Sequence, residues 1–169
     1  MNNILLSVII IAIIILGGGA YYFGIYLPSQ NSPANIDSSG TIGTSTGKTL
    51  DLSNSGLASV PMQIFDQTNL TELNLSGNNL TGAMPSQIQK LQNLEILNLS
   101  NNKFTGVPAE VGQLKKLLVL DLSNNQLTGL PNEIGNLTQL KTLNVSGNNY
   151  SAQDLQKITS TLPNTQVIK

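Results

Sequence analysis

The sequence predicts an α/β solenoid: an arc of five stacked repeats preceded by one transmembrane helix. Short parallel strands should line its concave face, and short helical or 3-10 turns its convex face. A leucine recurs at intervals of 23, 24, 23 and 23 residues, at Leu50, Leu73, Leu97, Leu120 and Leu143. A unit of this length is too short to bury its own apolar face, but stacked units share one continuous core.

Each copy opens with a strand pattern, because two apolar residues alternate with polar ones as in a half-buried strand. In the second copy, Leu73 and Leu75 should point inward, while Glu72, Asn74 and Ser76 point outward. The third outward position is serine in every copy. We therefore expect a ladder of strands whose outer face is polar and exposed.

An asparagine follows each strand where the chain must turn inside the stack. A buried amide side chain can satisfy backbone groups of its own turn and of its neighbour. The first copy has Ser55 at this position, so its turn should be looser. The predicted structural asparagine ladder consists of Asn78, Asn102, Asn125 and Asn148.

The return half of each of the first four copies begins with Pro-x-x-Ile or Pro-x-x-Val, as in Pro61 to Ile64. Proline suits the first position of a helical turn, where no amide partner is needed. After Tyr150 the pattern changes, and Ser151 with Asp154 has the spacing of a capping box. We expect residues 151–169 to form a C-terminal cap, with a helix and a sixth strand over 165–168.

These copies resemble the leucine-rich repeat family, with its L-x-x-L-x-L-x-x-N-x-L core. The segments LTGLPNEIGNLTQL and LTGAMPSQIQKLQNL are similar to the typical and plant-type variants of that repeat, and the resemblance covers residues from about 48 to 169. The chain resembles a bacterial member of the family with an N-terminal membrane anchor. The resemblance implies a horseshoe arc that binds proteins through its concave face.

The N-terminal part divides into two segments. Residues 1–27 are apolar, and residues 28–47 form a flexible linker that is rich in Ser, Thr, Gly and Pro. Residues 4–27 carry no charge and would span about 36 Å as a helix, enough to cross a bilayer. Three tyrosines gather at its end, where aromatic residues favour the membrane interface. We predict a single-pass signal-anchor with extracytoplasmic repeats, residues 48–169.

A cleaved signal peptide is the alternative for this segment. Residues 4–16 have the length of its apolar region, and Gly18-x-Ala20 is a tolerable cleavage site. The lack of a positive residue before the run, and the apolar residues after Ala20, favour the anchor. Cleavage would make the protein a secreted one.

The composition disfavours catalysis, because the chain has no His, Cys or Arg. This removes His-activated nucleophiles, the usual zinc ligands and arginine clamps. We expect a non-enzymatic protein with no cofactor and no metal. With a net charge of −1 and scattered lysines, we also expect no nucleic-acid partner; the one basic pair, Lys115 and Lys116, lies on the convex half.

The predicted binding site is the outward face of the strands, in which Ile96 and Val119 form one apolar spot. Short polar side chains are also what any solvated strand face needs, so the alternative is a structural or spacer protein of the cell envelope without a specific ligand. We favour a monomeric ectodomain that binds a protein or peptide. The candidate binding residues are Glu72, Asn74, Ile96, Asn98, Val119, Asp121, Thr142 and Asn144.

Overall fold

The computed structural model describes residues 49–169. They form a main sheet of six parallel strands, with one α-helix between the fifth strand and the sixth. The strands of this part are β1 Thr49–Asp51, β2 Glu72–Asn74, β3 Thr81–Ala83, β4 Ile96–Asn98, β5 Lys103–Gly106, β6 Val119–Asp121, β7 Thr142–Asn144 and β8 Gln166–Ile168. The 3-10 helices are η1 Met62–Asp66, η2 Ser86–Lys90, η3 Ala109–Gln113 and η4 Asn132–Asn136, and the α-helix is α1 Ala152–Ser160.

The main sheet has the order β1-β2-β4-β6-β7-β8, and all of its strands are parallel. The register is constant, because the leucines that open the copies are partners of one another and Val167 continues their row. The predicted solenoid of parallel strands is confirmed, including a sixth strand after the fifth copy.

One continuous apolar core runs beneath this sheet. The leucines of the strand pattern are buried, with Leu73, Leu97 and Leu120 at 0% exposure. Phe65 and Phe104 are the largest of its fully buried side chains. The 3-10 helices close the core opposite the strands by contributing Ile64, Ile88, Val111 and Ile134.

Each 3-10 helix follows the proline of its repeat, and the proline itself is extended. Pro61 has φ −66° and ψ 119°, and its carbonyl oxygen accepts from the Ile64 amide at 3.1 Å. The prediction that proline occupies the first helical position is therefore wrong by one residue. The ring fixes φ at a value that extended backbone also adopts, so proline precedes the turn and its carbonyl starts the helix.

The buried asparagines connect consecutive repeats. Asn102 accepts from the Leu80 amide at 3.1 Å and donates to the carbonyl oxygens of Leu75, Leu99 and Ser100 at 2.9–3.1 Å. Asn78, Asn125 and Asn148 make the equivalent bonds, although Asn148 is only half-buried. In the described residues, no buried side-chain nitrogen or oxygen lacks a partner.

A second, two-stranded parallel sheet joins β3 to β5, and it was not predicted. Its register shifts between Gly82 and Ala83, because Gly82 pairs with Phe104 but Ala83 pairs with Gly106, so that Thr105 of β5 is skipped. The strands are only three and four residues long. Such short pairings carry little periodicity, so their sequence gave no strand signal.

Helix α1 covers the end of the core with Leu155 and Ile158, which are 5% and 1% exposed. Ser151 begins it by accepting from the Gln153 amide at 3.2 Å. The Thr161 hydroxyl is 3.1 Å from the Gly135 carbonyl oxygen and 2.8 Å from that of Ile158. Side-chain bonds of this kind attach the C-terminal segment to the preceding repeat.

The predicted anchor, residues 4–27, and the predicted linker, residues 28–47, lie outside the described residues. Among residues 49–169, no helix has the length and apolar character needed to cross a bilayer.

Candidate binding face

The candidate site is the outward side of the main sheet, which we call the strand face. It contains two rows of side chains, because each three-residue strand directs its first and last residues outward. The first row runs Thr49, Glu72, Ile96, Val119, Thr142 and Gln166, and the second runs Asp51, Asn74, Asn98, Asp121, Asn144 and Ile168.

Parallel pairing brings the predicted residues together in two adjacent lines. Ile96 is the register partner of Val119, and Asn98 is the partner of Asp121. All four are half-buried, as are Glu72, Thr142 and Asn144. Seven of the eight candidate residues therefore retain surface that a partner could contact.

Asn74 is the exception, because it is only 9% exposed. Its Oδ1 accepts from the Ser76 amide at 3.1 Å and from the Ser76 hydroxyl at 2.7 Å. The expectation that the Asn74 side chain faces solvent is wrong. Both donors of Ser76 cover its amide oxygen, although the equivalent bonds leave Asp121 half-buried.

The predicted third outward row is also wrong. Its three middle members, Ser76, Ser100 and Ser123, are buried, at 4–6% exposure, whereas Ser53 and Ser146 at its ends are half-buried. Each strand ends before the serine, and the chain turns there. The alternation that places a residue outward applies only within a strand, so these serines lie inside the turn.

The second row has a structural role as well as an outward surface. Asp121 Oδ1 accepts from the Ser123 amide at 2.9 Å and from its hydroxyl at 2.6 Å. Asp121 Oδ2 accepts from the Asn144 side-chain amide at 3.2 Å. Asn98 Oδ1 accepts from the Ser100 amide, and Asn144 Oδ1 accepts from the amide and the hydroxyl of Ser146. The acceptor atoms of this row thus hold the turns that follow the strands.

Two further residues of the strand face, Gln166 and Ile168, were not predicted. They pair with Thr142 and Asn144, and Ile168 is 39% exposed. The signal was present, since residues 165–168 were expected to form a strand whose outward residues extend both rows.

A further outward row lies where the chain turns after the buried serines. Asn101 and Asn124 have φ of 55° and 52°, and the Asn124 side-chain amide donates to Asn101 Oδ1 at 3.1 Å. Gly77 and Gly147 occupy the same position with φ of 67°. Asparagine and glycine tolerate this left-handed conformation best, which explains why each copy has one or the other at this position.

The basic pair, Lys115 and Lys116, lies on the helical side of the repeats. Lys115 Nζ donates to the Gly112 and Asn136 carbonyl oxygens at 2.8 and 3.1 Å, and Lys116 Nζ donates to Asn93 Oδ1 at 2.8 Å. Both lysines therefore join neighbouring repeats on that side. In residues 49–169, no group of three His, Cys, Asp or Glu side chains is placed to hold a metal ion.

A family model described as a leucine-rich repeat region matches residues 63–163. Among curated proteins, no sequence matches the chain.

Solved structures similar to this chain come from a bacterium and from a plant. A leucine-rich repeat protein of Leptospira interrogans is 43% identical, with a TM-score of 0.63, over 66% of this chain and 28% of that one. The ectodomain of the Arabidopsis thaliana receptor kinase SOBIR1 is 33% identical, with a TM-score of 0.60, over 70% of this chain and 65% of that one.

The ectodomain of a second Arabidopsis thaliana membrane receptor kinase, GASSHO1/SCHENGEN3, was solved in complex with CASPARIAN STRIP INTEGRITY FACTOR 2. It is 35% identical, with a TM-score of 0.61, over 71% of this chain and 15% of that one. This chain thus spans less than two thirds of the length of each of the three proteins.

Proposed function

The chain belongs to the leucine-rich repeat family, and on that premise we propose that it is a membrane-tethered, extracytoplasmic module that binds a protein or peptide through its strand face. The role is non-catalytic. Residues 4–27 would anchor it, residues 28–47 would separate the repeats from the membrane, and residues 48–169 would carry the binding surface, with 151–169 as their cap.

The observation that carries the proposal is the in-register strand face itself. Six parallel strands present two ordered rows of side chains, most of them half-buried, and the helices of residues 49–169 pack against one another on the other side of the core. Ile96 and Val119 lie side by side near the middle of this face. They offer apolar surface beside the polar groups of Asn98 and Asp121, a combination that suits protein recognition.

The similarity to receptor ectodomains supports this choice. The GASSHO1/SCHENGEN3 ectodomain was solved with a bound factor, so a repeat array of this kind can serve recognition. Because the chain contains no cysteine, one introduced cysteine allows a thiol-reactive cross-linker to be attached at a single chosen position.

The test is therefore site-specific cross-linking with the full chain. A Val119→Cys variant, labelled with benzophenone maleimide, should form an adduct with one protein of the producing organism's membrane and surface extract. Unlabelled wild-type protein should compete for that adduct, and the added change Ile96→Glu should abolish it.

A matched variant places the thiol on the helical side, at the exposed Gln113 of η3. Gln113→Cys should give no adduct that wild-type protein displaces. A displaceable adduct from Gln113→Cys but not from Val119→Cys would show that the module binds through its back.

A structural or spacer role is the second candidate, and one observation favours it. The acceptor atoms of Asp121, Asn98 and Asn144 already hold the turns of their own repeats. If the face exists only to complete the solenoid, neither thiol variant will give an adduct that wild-type protein displaces.

A further inference from the structure

We propose that the strand face selects an extended, cationic segment: a partner chain in which lysine or arginine side chains flank an aliphatic one. The inference rests on the proposed function and specifies the chemistry of its partner. It follows from how the charges of residues 49–169 are divided between the strand face and the rest of the repeats.

All ionisable residues in the six strands of the main sheet are acidic. They are Asp51, Glu72 and Asp121, and no lysine lies in these strands. The remainder of residues 49–169 has the opposite balance, with seven lysines against five carboxylates. A module that is close to neutral therefore presents a negative strand face and a positive remainder.

The negative charge of Asp121 is not neutralised by a lysine. Its carboxylate accepts from the amide and hydroxyl of Ser123 and from the side-chain amide of Asn144, which are all neutral donors. The ion pair found within residues 49–169 joins Lys90 to Asp66 at 3.5 Å, outside the main sheet. Asp121 is half-buried, so a cationic group that docks there would interact in a partly desolvated setting.

An apolar pair separates the two carboxylates of the middle strands. In the first row Glu72, Ile96 and Val119 follow one another on β2, β4 and β6, and Asp121 ends β6. Strands β2 and β6 are two steps apart, or about 10 Å at the usual strand spacing. An extended segment places residues i and i+2 on one side roughly 7 Å apart. An aliphatic side chain over Ile96 and Val119 then has cationic neighbours within reach of both carboxylates.

The test uses two synthetic peptides, KSVSKSVSK and ESVSESVSE, which place charged and valine side chains alternately on one side. By calorimetry, the full wild-type chain should bind the lysine peptide at least about tenfold more tightly than the glutamate peptide, because complementary charge governs selection at such a face. Equal affinity for the two peptides would overturn the proposal.

Two double variants test which carboxylates cause the preference for the lysine peptide. Glu72→Gln with Asp121→Asn should remove it, and this pair keeps the turn acceptor, since asparagine occupies the Asp121 position in three other strands of the main sheet. Glu110→Gln with Glu133→Gln removes the same charge from the 3-10 helices and should retain it. A loss that is as large in the second variant as in the first would show a non-local effect and would contradict the assignment.

Failure of the cationic preference can be distinguished from failure of the proposed function. A displaceable Val119→Cys adduct together with equal binding of both peptides would leave the strand face as a binding surface but refute its cationic preference. An adduct from Gln113→Cys alone would refute the binding surface itself.

Discussion

The side-chain amide of Asn102 donates to the carbonyl oxygen of Leu75, in the preceding repeat, at 2.9 Å. The same side chain accepts from the amide of Leu80, also in the preceding repeat, at 3.1 Å. One residue thus satisfies two backbone groups of its neighbour as well as two carbonyls of its own turn. Each repeat therefore completes the hydrogen bonding of the one before it, which is how a stack of short units becomes cooperative.

We expect Asn102→Ala and Asn125→Ala each to lower the free energy of unfolding by about 1–3 kcal/mol, since each leaves buried backbone groups without partners. Ser55→Ala should change it by less, because the exposed Ser55 hydroxyl makes one long bond, 3.3 Å, to the Ser53 carbonyl. Denaturant titrations of the three variants measure the differences. Three equal and negligible shifts of the midpoint would show that these side chains do not stabilise the stack.

Gly112 of η3 packs against the backbone of Glu133 in η4. A Cβ there would overlap the carbonyl oxygen of Glu133 and lie 2.7 Å from its carbonyl carbon. Gly112→Ala should therefore force η3 from η4 and cost about 1–3 kcal/mol of stability. At Gly129 an added Cβ would meet only Asp154 Oδ2 at 3.8 Å, so Gly129→Ala is the matched control and should be nearly neutral. Thermal unfolding that is equally affected by both changes would contradict this packing.

Tyr150 should make the stability of the folded domain depend on pH in the alkaline range. Burial raises the pKa of the Tyr150 hydroxyl above its ordinary value of 10.0. The folded state then holds this proton more tightly than the unfolded chain does. The contribution of this group to the free energy of unfolding is complete below the pKa of the unfolded chain. It is lost as the pH rises through the pKa of the folded state. Relative to Tyr150→Phe, wild-type stability should be constant below pH 10 and should fall above it. Urea midpoints measured against pH for both proteins test this, and parallel curves would exclude the effect.

The apolar run at residues 4–27 leads us to expect that the protein stays in the membrane fraction after an alkaline carbonate wash. A chain that begins at residue 28 should appear in the supernatant. The mature protein should also retain its original N-terminus. N-terminal sequencing that starts near Tyr21 would instead establish cleavage and secretion.

The main sheet could be predicted because its leucines recur at a spacing that admits one stacked arrangement, from Leu50 to Leu143. The outward rows at Glu72 and Asp121 followed from the strand period. The burial of Ser76, Ser100 and Ser123 did not, because a two-residue alternation does not indicate where a three-residue strand ends. The same limit concealed the turn-holding role of the second row, which depends on side-chain contacts two residues apart.

Because Asp121 holds the turn at Ser123, only some substitutions at Asp121 are usable in binding experiments. Asp121→Lys removes the acceptor for the Ser123 amide and hydroxyl, so we expect it to lower the free energy of unfolding by about 1–3 kcal/mol. Asp121→Asn keeps an Oδ1 at that place, as Asn98 and Asn144 do with their own serines, and should change stability by less than about 0.5 kcal/mol. Denaturant midpoints of the two variants provide the measurement. If the lysine variant is as stable as the asparagine variant, the bonds to Ser123 contribute nothing to the fold, and Asp121 acts only as a surface charge.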